Sequence, residues 1–409
     1  MRTKSCWMLS VAVLVCLGCE PTDVPRISPD GKHAALLLPP AEADGPKAVG
    51  IVRLDDGTLA RHALPEGFTA TGIVWAGRDL LVNLVAQTRD PKAEGKGPWL
   101  FCILRLADGA FSESSVPEHI NLAPFVGVYK GEPALYAPEM DSDRTKIFSL
   151  PDLKEMGALE FPAVGAGDGW YVRIVEGTVE RQLVPGGKEA DWIRESLPED
   201  ARTRKSEEMI AVEIYNPQGG KVATLERDEI AKAFYRGPRS PTCARVSPDG
   251  KRLLLGFGTD TIFRQHTHEY TFGVFGLEGA KLLWQGSSNN LWGFPVFTGD
   301  AMFALEAKSR EIYTGEKGPG GMLAPPLATS QTTAEVVLAR HTEKGRDVIL
   351  DVPLEKQEKA ARYSYSPDRK MFVLQAEGAA PRLLLIPVSD KATAKDVRAI
   401  PLGKGAETP

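Results

Sequence analysis

Ile27-Ser28-Pro29-Asp30-Gly31-Lys32 leads into the apolar run His33 to Leu38, and the phrase returns as Val246-Ser247-Pro248-Asp249-Gly250-Lys251 before Arg252 to Phe257. A third copy, Tyr365-Ser366-Pro367-Asp368-Arg369-Lys370, precedes Met371 to Leu374. Pro presets φ at the second position of a tight turn, Asp bonds its own backbone, and Gly accepts the left-handed exit. Each copy is therefore a turn that delivers the chain into a strand. A turn recurring at intervals ahead of a strand is the mark of a repeat architecture.

Fainter versions fill the gaps. Ala76-Gly77-Arg78-Asp79 precedes Leu80 to Leu84, Lys130-Gly131-Glu132 precedes Ala134 to Tyr136, Gly167-Asp168-Gly169 precedes Trp170 to Ile174, and Gly299-Asp300 precedes Met302 to Leu305. The seven starts fall near positions 28, 76, 129, 166, 247, 298 and 366, at spacings of about 37 to 81 residues, the scale of a four-stranded propeller blade. Hairpin signals recur inside the units: Asp55-Asp56-Gly57, Ala107-Asp108-Gly109 and Leu277-Glu278-Gly279 each separate two runs rich in β-branched and aromatic residues. These readings predict an all-β chain, a β-propeller of seven blades with six to eight allowed by the spacing, and a turn that launches each blade's first strand.

The fourth unit is the long one. Leu225 to Arg236 places Ile230, Ala233 and Phe234 on one helical face and stops at Gly237-Pro238, so a short helical insertion is expected near 188–238. Lys188 to Glu208 is charge-rich and reads as a solvated loop or short helix, whereas Ile210 to Leu225 reads as a hairpin that could hide an eighth blade. Gly315 to Ser330 is a second excursion, rich in Gly and Pro.

The Ser-Pro-Asp-Gly-Lys copies with downstream Asp-Gly hairpins resemble the repeat of TolB-like, WD-repeat-like β-propellers. The resemblance implies a disc of six to eight blades and a protein-interaction role in the periplasm. It implies no catalytic residue, because the shared motif is a structural turn.

The N-terminus supplies an address. Met1 to Lys4 carries two positive charges and Ser5 to Gly18 is a nearly uninterrupted apolar run, too short to cross a ~30 Å hydrocarbon core as a helix. Val15-Cys16-Leu17-Gly18-Cys19 resembles a bacterial lipobox, with Cys16 standing where that family usually has Leu. The resemblance implies a signal peptide over 1–18, lipidation of Cys19, a tether over 19–26, and a single propeller domain over 27–409. It implies an exported protein anchored to a bacterial membrane on the periplasmic or outer-membrane side. An ordinary signal peptide or an uncleaved anchor are the other readings of the same run. Cys102 and Cys243 then remain in a compartment that permits disulfides, and both lie beside apolar runs as buried thiols do.

Composition narrows the partners. Across 409 residues the net charge is −5, which argues against nucleic acid, since phosphate binding needs a basic face. Chemistry-bearing motifs are missing: no Gly-x-Ser-x-Gly elbow, no phosphate loop, no His-Glu-x-x-His, and no regular Trp spacing of the kind quinone-cofactor propellers carry. No cofactor, catalytic residue or metal site is nominated. His266 and His268, two apart on a strand, could share a metal only with a third ligand from elsewhere, and a polar strand face explains them as well. Met140-Asp141-Ser142-Asp143 and Asp55-Asp56 cluster carboxylates, but at expected turns. Trp284 to Phe294 pairs aromatics with amides and hydroxyls, a mix suited to peptide or sugar recognition. Trp284, Asn289, Asn290 and Trp292 are its candidate contacts, with a buried blade-to-blade connection as the alternative. The expected function is binding or scaffolding of a protein or glycan of the cell envelope. A divergent envelope enzyme, such as a glycan-active lyase or hydrolase with its site in the propeller channel, is the alternative.

Overall fold

Runs such as Leu253-Leu254-Leu255 are apolar at every position, not at every second one, so strands built from them must be covered on both faces. A ring of stacked sheets provides that cover. The computed structural model describes residues 25–38, 48–86, 99–113, 124–139, 143–150, 152–182, 203–234, 241, 243–258, 270–288, 295–307, 335–356, 358–366, 370–378 and 380–402. These form seven four-stranded antiparallel sheets, each a meander of consecutive strands.

Blade 1 is β1 (Arg26–Ile27), β2 (His33–Leu38), β3 (Ala48–Arg53) and β4 (Leu59–Ala63). Blade 2 is β5 (Phe68–Ala76), β6 (Asp79–Ala86), β7 (Trp99–Leu104) and β8 (Phe111–Glu113). Blade 3 is β9 (Phe125–Tyr129), β10 (Glu132–Pro138), β11 (Thr145–Ser149) and β12 (Glu155–Leu159). Blade 4 is β13 (Ala163–Gly165), β14 (Tyr171–Gln182), β15 (Thr203–Tyr215) and β16 (Lys221–Glu226). Blade 5 is β17 (Cys243–Val246), β18 (Arg252–Gly258), β19 (Tyr270–Gly276) and β20 (Lys281–Ser288). Blade 6 is β21 (Val296–Thr298), β22 (Ala301–Ala307), β23 (Val336–Thr342) and β24 (Gly345–Asp351). Blade 7 is β25 (Lys359–Ser366), β26 (Met371–Glu377), β27 (Arg382–Pro387) and β28 (Arg398–Pro401).

First strands meet their counterparts in neighbouring blades: β1 touches β5 and β25, and β13 touches β9 and β17. They therefore ring the axis, and the fourth strands form the rim. The apolar core is divided into seven layers, one at each blade–blade contact. Alternation assigns each residue its layer. In β18, Leu253 and Leu255 face blade 4 while Leu254 faces blade 6.

The repeated turn sits one strand later than its sequence suggests. In all seven blades it joins the first strand to the second, so it closes the inner hairpin and does not launch the blade. The first strands are as short as two or three residues in β1, β13 and β21, and too plain to be read ahead of the turn. The expected helical insertion near 188–238 is described in part. Among the described residues of that stretch, α1 (Arg227–Ala231) is α-helical, and 203–208, expected as loop or helix, belong to β15. β15 and β16 complete blade 4 and are not an eighth blade. Ile230, Ala233 and Phe234 are all buried, as the helical face requires. The expected excursion at 315–330 lies outside the described residues.

An up-and-down meander puts alternate connections on opposite faces. Connections between first and second strands, and between third and fourth, span two to ten residues and share one face, here the turn face. Second-to-third-strand connections and the links between blades share the other, the loop face. There the connections reach 12 residues (87–98), 20 (183–202) and 28 (308–335).

Candidate functional site

Of the recognition residues expected from sequence, Trp284 is described, while Asn289, Asn290 and Trp292 lie outside the described residues, as do His266 and His268. Trp284 is partly buried on β20, with its ring edge-on to Phe272 at 5.7 Å between centroids. Both belong to the layer between blades 5 and 6, with Leu254, Phe297 and Met302. The opposite edge of that layer is polar. Phe272 also stands edge-on to His341 of β23, at 5.4 Å.

His341 opens onto a charged cluster that the sequence reading missed. Met302, Ala304 and Glu306 project from β22 toward blade 5, so alternation carries Glu306 into the layer. Its carboxylate is fully buried and accepts three hydrogen bonds: Ser288 Oγ at 2.5 Å and His341 Nε2 at 2.7 Å on Oε1, and Arg346 Nε at 2.7 Å on Oε2. Burial alone would raise the Glu306 pKa, but His341, Ser288 and Arg346 outweigh it and hold the carboxyl below the ordinary glutamate value. An ionised carboxylate only accepts, so Nε2 of His341 carries the proton it shares. Four strands from two blades converge here, and Arg346 reaches solvent with 37% of its side chain exposed.

A nucleophilic site places the histidine between the hydroxyl and the carboxylate. Here the carboxylate lies between Ser288 and His341, and nothing aligns the histidine to take the serine's proton. The cluster is a polar lock between blades 5 and 6. Ser288 ends β20 and Glu306 lies one residue from the end of β22, so the lock also fixes two strand ends at the loop face.

A concavity of about 540 Å³ lies between blades 1 and 2, lined by His33, Arg53, His62 and Asp108 over a floor that includes Ile51 and Leu106. Arg53 and Asp108 of its lining are paired. Arg53 Nε donates to Asp56 at 2.9 Å, and Arg105 pairs with Asp108 at 2.9 Å. Burial lowers the His62 pKa, against a hydrogen bond with the Gly109 backbone, which favours a neutral ring at physiological pH. Asp55-Asp56 thus serves turn chemistry, with Asp56 tied to Arg53 and to the Thr58 backbone N–H at 3.0 Å. Cys102 and Cys243 are buried in blades 2 and 5, which do not touch, so no bridge joins them to each other. Among the described residues no three His, Cys, Asp or Glu side chains converge as a metal site would need.

No protein-family model matches the chain, and no curated protein matches it. Solved structures do. A crystal structure of the mitotic checkpoint complex aligns over 88% of this chain and 85% of its own, at 10% identity and a TM-score of 0.46. Hydrazine synthase of Kuenenia stuttgartiensis aligns over 76% and 74%, at 13% identity and a TM-score of 0.40. Dihydro-heme d1 dehydrogenase NirN aligns over 92% and 65%, at 14% identity and a TM-score of 0.39. The seven-bladed assignment rests on strand order, and no activity of these proteins is carried across.

Proposed function

We propose that this chain is an exported, lipid-anchored propeller that binds or scaffolds a partner in the bacterial cell envelope through its loop face. The observation that carries the reading is the inequality of the faces. Two-to-ten-residue connections on one side are what a ring needs to close its hairpins, whereas connections of up to 28 residues on the other exceed any closure requirement. Loops held by a rigid scaffold are where binding surfaces form. Support for the address comes from the charged start, the apolar run and Gly18-Cys19.

Photo-crosslinking in intact cells tests this. Photoreactive residues replace Glu66 or Glu160, in links between blades on the loop face, and Asp56 or Asp300 on the turn face. Adducts of discrete mass are expected from Glu66 or Glu160 and not from Asp56 or Asp300. Adducts from both faces alike, or from the turn face alone, would overturn the reading.

A further inference from the structure

We infer that the concavity between blades 1 and 2 is a binding slot for a planar aromatic carboxylate of indole size. Its origin lies in two small residues. Ser28 of the repeated turn corresponds to Ser247, so Ala35 of β2 corresponds to Leu254 of β18. Register carries the match outward. Ala35 pairs with Ile51 and Ile51 with Ala60, just as Leu254 pairs with Val274 and Val274 with Trp284. By the same count Val49 corresponds to Phe272. Blade 5 fills its layer toward blade 6 with the Trp284 indole, edge-on to Phe272 at 5.7 Å. Blade 1 offers blade 2 only Ala60 and Val49 at the equivalent positions. The space that an indole fills in one layer is an opening of about 540 Å³ in the other. Small-molecule sites span about 300–1,000 Å³.

The walls suit a flat ring. Ile51 and Ala60 line the slot from blade 1, and Leu106 and Ala107 of the β7–β8 turn line it from blade 2. His62 stands where blade 5 has Gly286 and closes one side. Its ring lies so close to Gly109 that an added Cβ there would come within 3.0 Å of Nδ1. Burial pushes the His62 pKa down, so this side is an uncharged aromatic wall. The slot runs along β4 at the rim, and its ligand is independent of any partner at the loop face.

The mouth supplies the charge preference. His33 and Arg53 are directly opposite each other in β2 and β3, on the side that faces blade 2. Directly opposed residues hold their Cβ atoms about 5 Å apart. Asp56 accepts from Nε and Nη2 of Arg53, and Thr58 shares Nη2, which leaves Nη1 as an open donor. The His33 ring makes no hydrogen bond to any described residue. Asp108, on the opposite wall, is already held by Arg105 at 2.9 Å and by the Ala110 backbone N–H at 3.0 Å. Open donors beside an occupied acceptor select an anion. Nη1 and the imidazole match the two oxygens of a carboxylate, whereas a phosphate calls for a cluster of cations.

Titration calorimetry on the purified protein tests the slot, with benzoate, indoleacetate, naphthoate and their neutral amides as probes. At least one acid is expected to bind with a Kd below about 1 mM. Its amide should bind about tenfold more weakly, the difference that one charge-assisted hydrogen bond makes. Ala60→Trp, which gives blade 1 the residue of blade 5, should abolish binding of every probe and hold or raise Tm. Arg53→Gln should bind acid and amide alike. No binding by any of the acids, binding that survives in folded Ala60→Trp protein, or an acid preference that survives Arg53→Gln would each overturn the site. The Arg53 side chain is half-exposed, so Arg53→Gln keeps the fold and decides the matter even where Ala60→Trp does not fold.

Discussion

Glu306 shows at the scale of one residue how a side chain joins two blades. Removing it leaves His341 and Arg346 facing a buried void, and breaking a buried ion pair costs about 3–5 kcal/mol. Glu306→Ala should lose stability of that order in urea unfolding, and Glu306→Gln, which keeps shape and some hydrogen bonds, should lose less. The sign of the pH effect follows from the lowered folded-state pKa. Stability from this group is complete above the unfolded glutamate value of about 4.3 and is lost as pH falls below it toward the folded value. Glu306→Gln should flatten that part of the acid-unfolding profile, and an unchanged profile would mean the carboxylate is not ionised in the fold. None of this was legible in Met302-Phe303-Ala304-Leu305-Glu306-Ala307, where a charge after an apolar run reads as a strand's exit. Its partners lie 18, 35 and 40 positions away, a distance only tertiary structure bridges. Trp284 was legible as an aromatic and placed in a recognition loop; the structure sets it on a strand against Phe272.

The repeated turn is the element whose position and local chemistry the sequence showed best, though not its place in the blade. Ser28 Oγ donates to Asp30 at 2.6 Å, Asp30 accepts from the Lys32 backbone at 3.0 Å, and Ser28 Oγ accepts from the His33 backbone at 3.0 Å. Ser247, Asp249, Lys251 and Arg252 repeat the pattern at 2.5, 3.1 and 2.9 Å. In both copies one carboxylate oxygen of the aspartate holds the turn. The carbonyl ending each copy, on Lys32, Lys251 and Lys370, accepts from the residue after the third strand: Leu54, Leu277 and Val388. One turn therefore fixes the first three strands of its blade. Gly250 has φ +69°, and an added Cβ would come within 2.9 Å of the Trp170 ring in blade 4. Gly299 has φ +60° and open space around it. Gly250→Ala should therefore destabilise by more than Gly299→Ala, whose backbone strain alone is about 1–2 kcal/mol. Equal losses in thermal unfolding would show that the contact between blades adds nothing. All seven turns could be found because Pro, Asp or Gly is demanded locally; the strand before each could not be read in every blade, because first strands as short as two or three residues leave no pattern.

For the whole molecule, each blade is built from one contiguous stretch, so the ring closes without exchanging a strand between its ends. Blade 7 meets blade 1 through Leu36, Val52, Val373, Leu383, Leu385 and Ile400, with Arg398 Nη2 donating to the Asp55 carbonyl at 2.6 Å. Leu385→Ala should cost about 2–5 kcal/mol, as large-to-small core changes do, and native-state hydrogen exchange should find the lowest-energy opening in blades 1 and 7. An opening that begins in blades 4 and 5 would show the seam is not the weak point. Closure of this kind leaves both faces intact, and the proposed function divides work between them by placing partner binding on the loop face. Hydrogen exchange on the protein in its native membrane fraction, compared with the unanchored Cys19→Ser form, tests that division directly. The account predicts slowed exchange near Pro138, Ser288 and Glu306 at the loop-face strand ends, with the turns at 28–31 and 247–250 unchanged. Slowed exchange at those turns, or no difference between the faces, would contradict it.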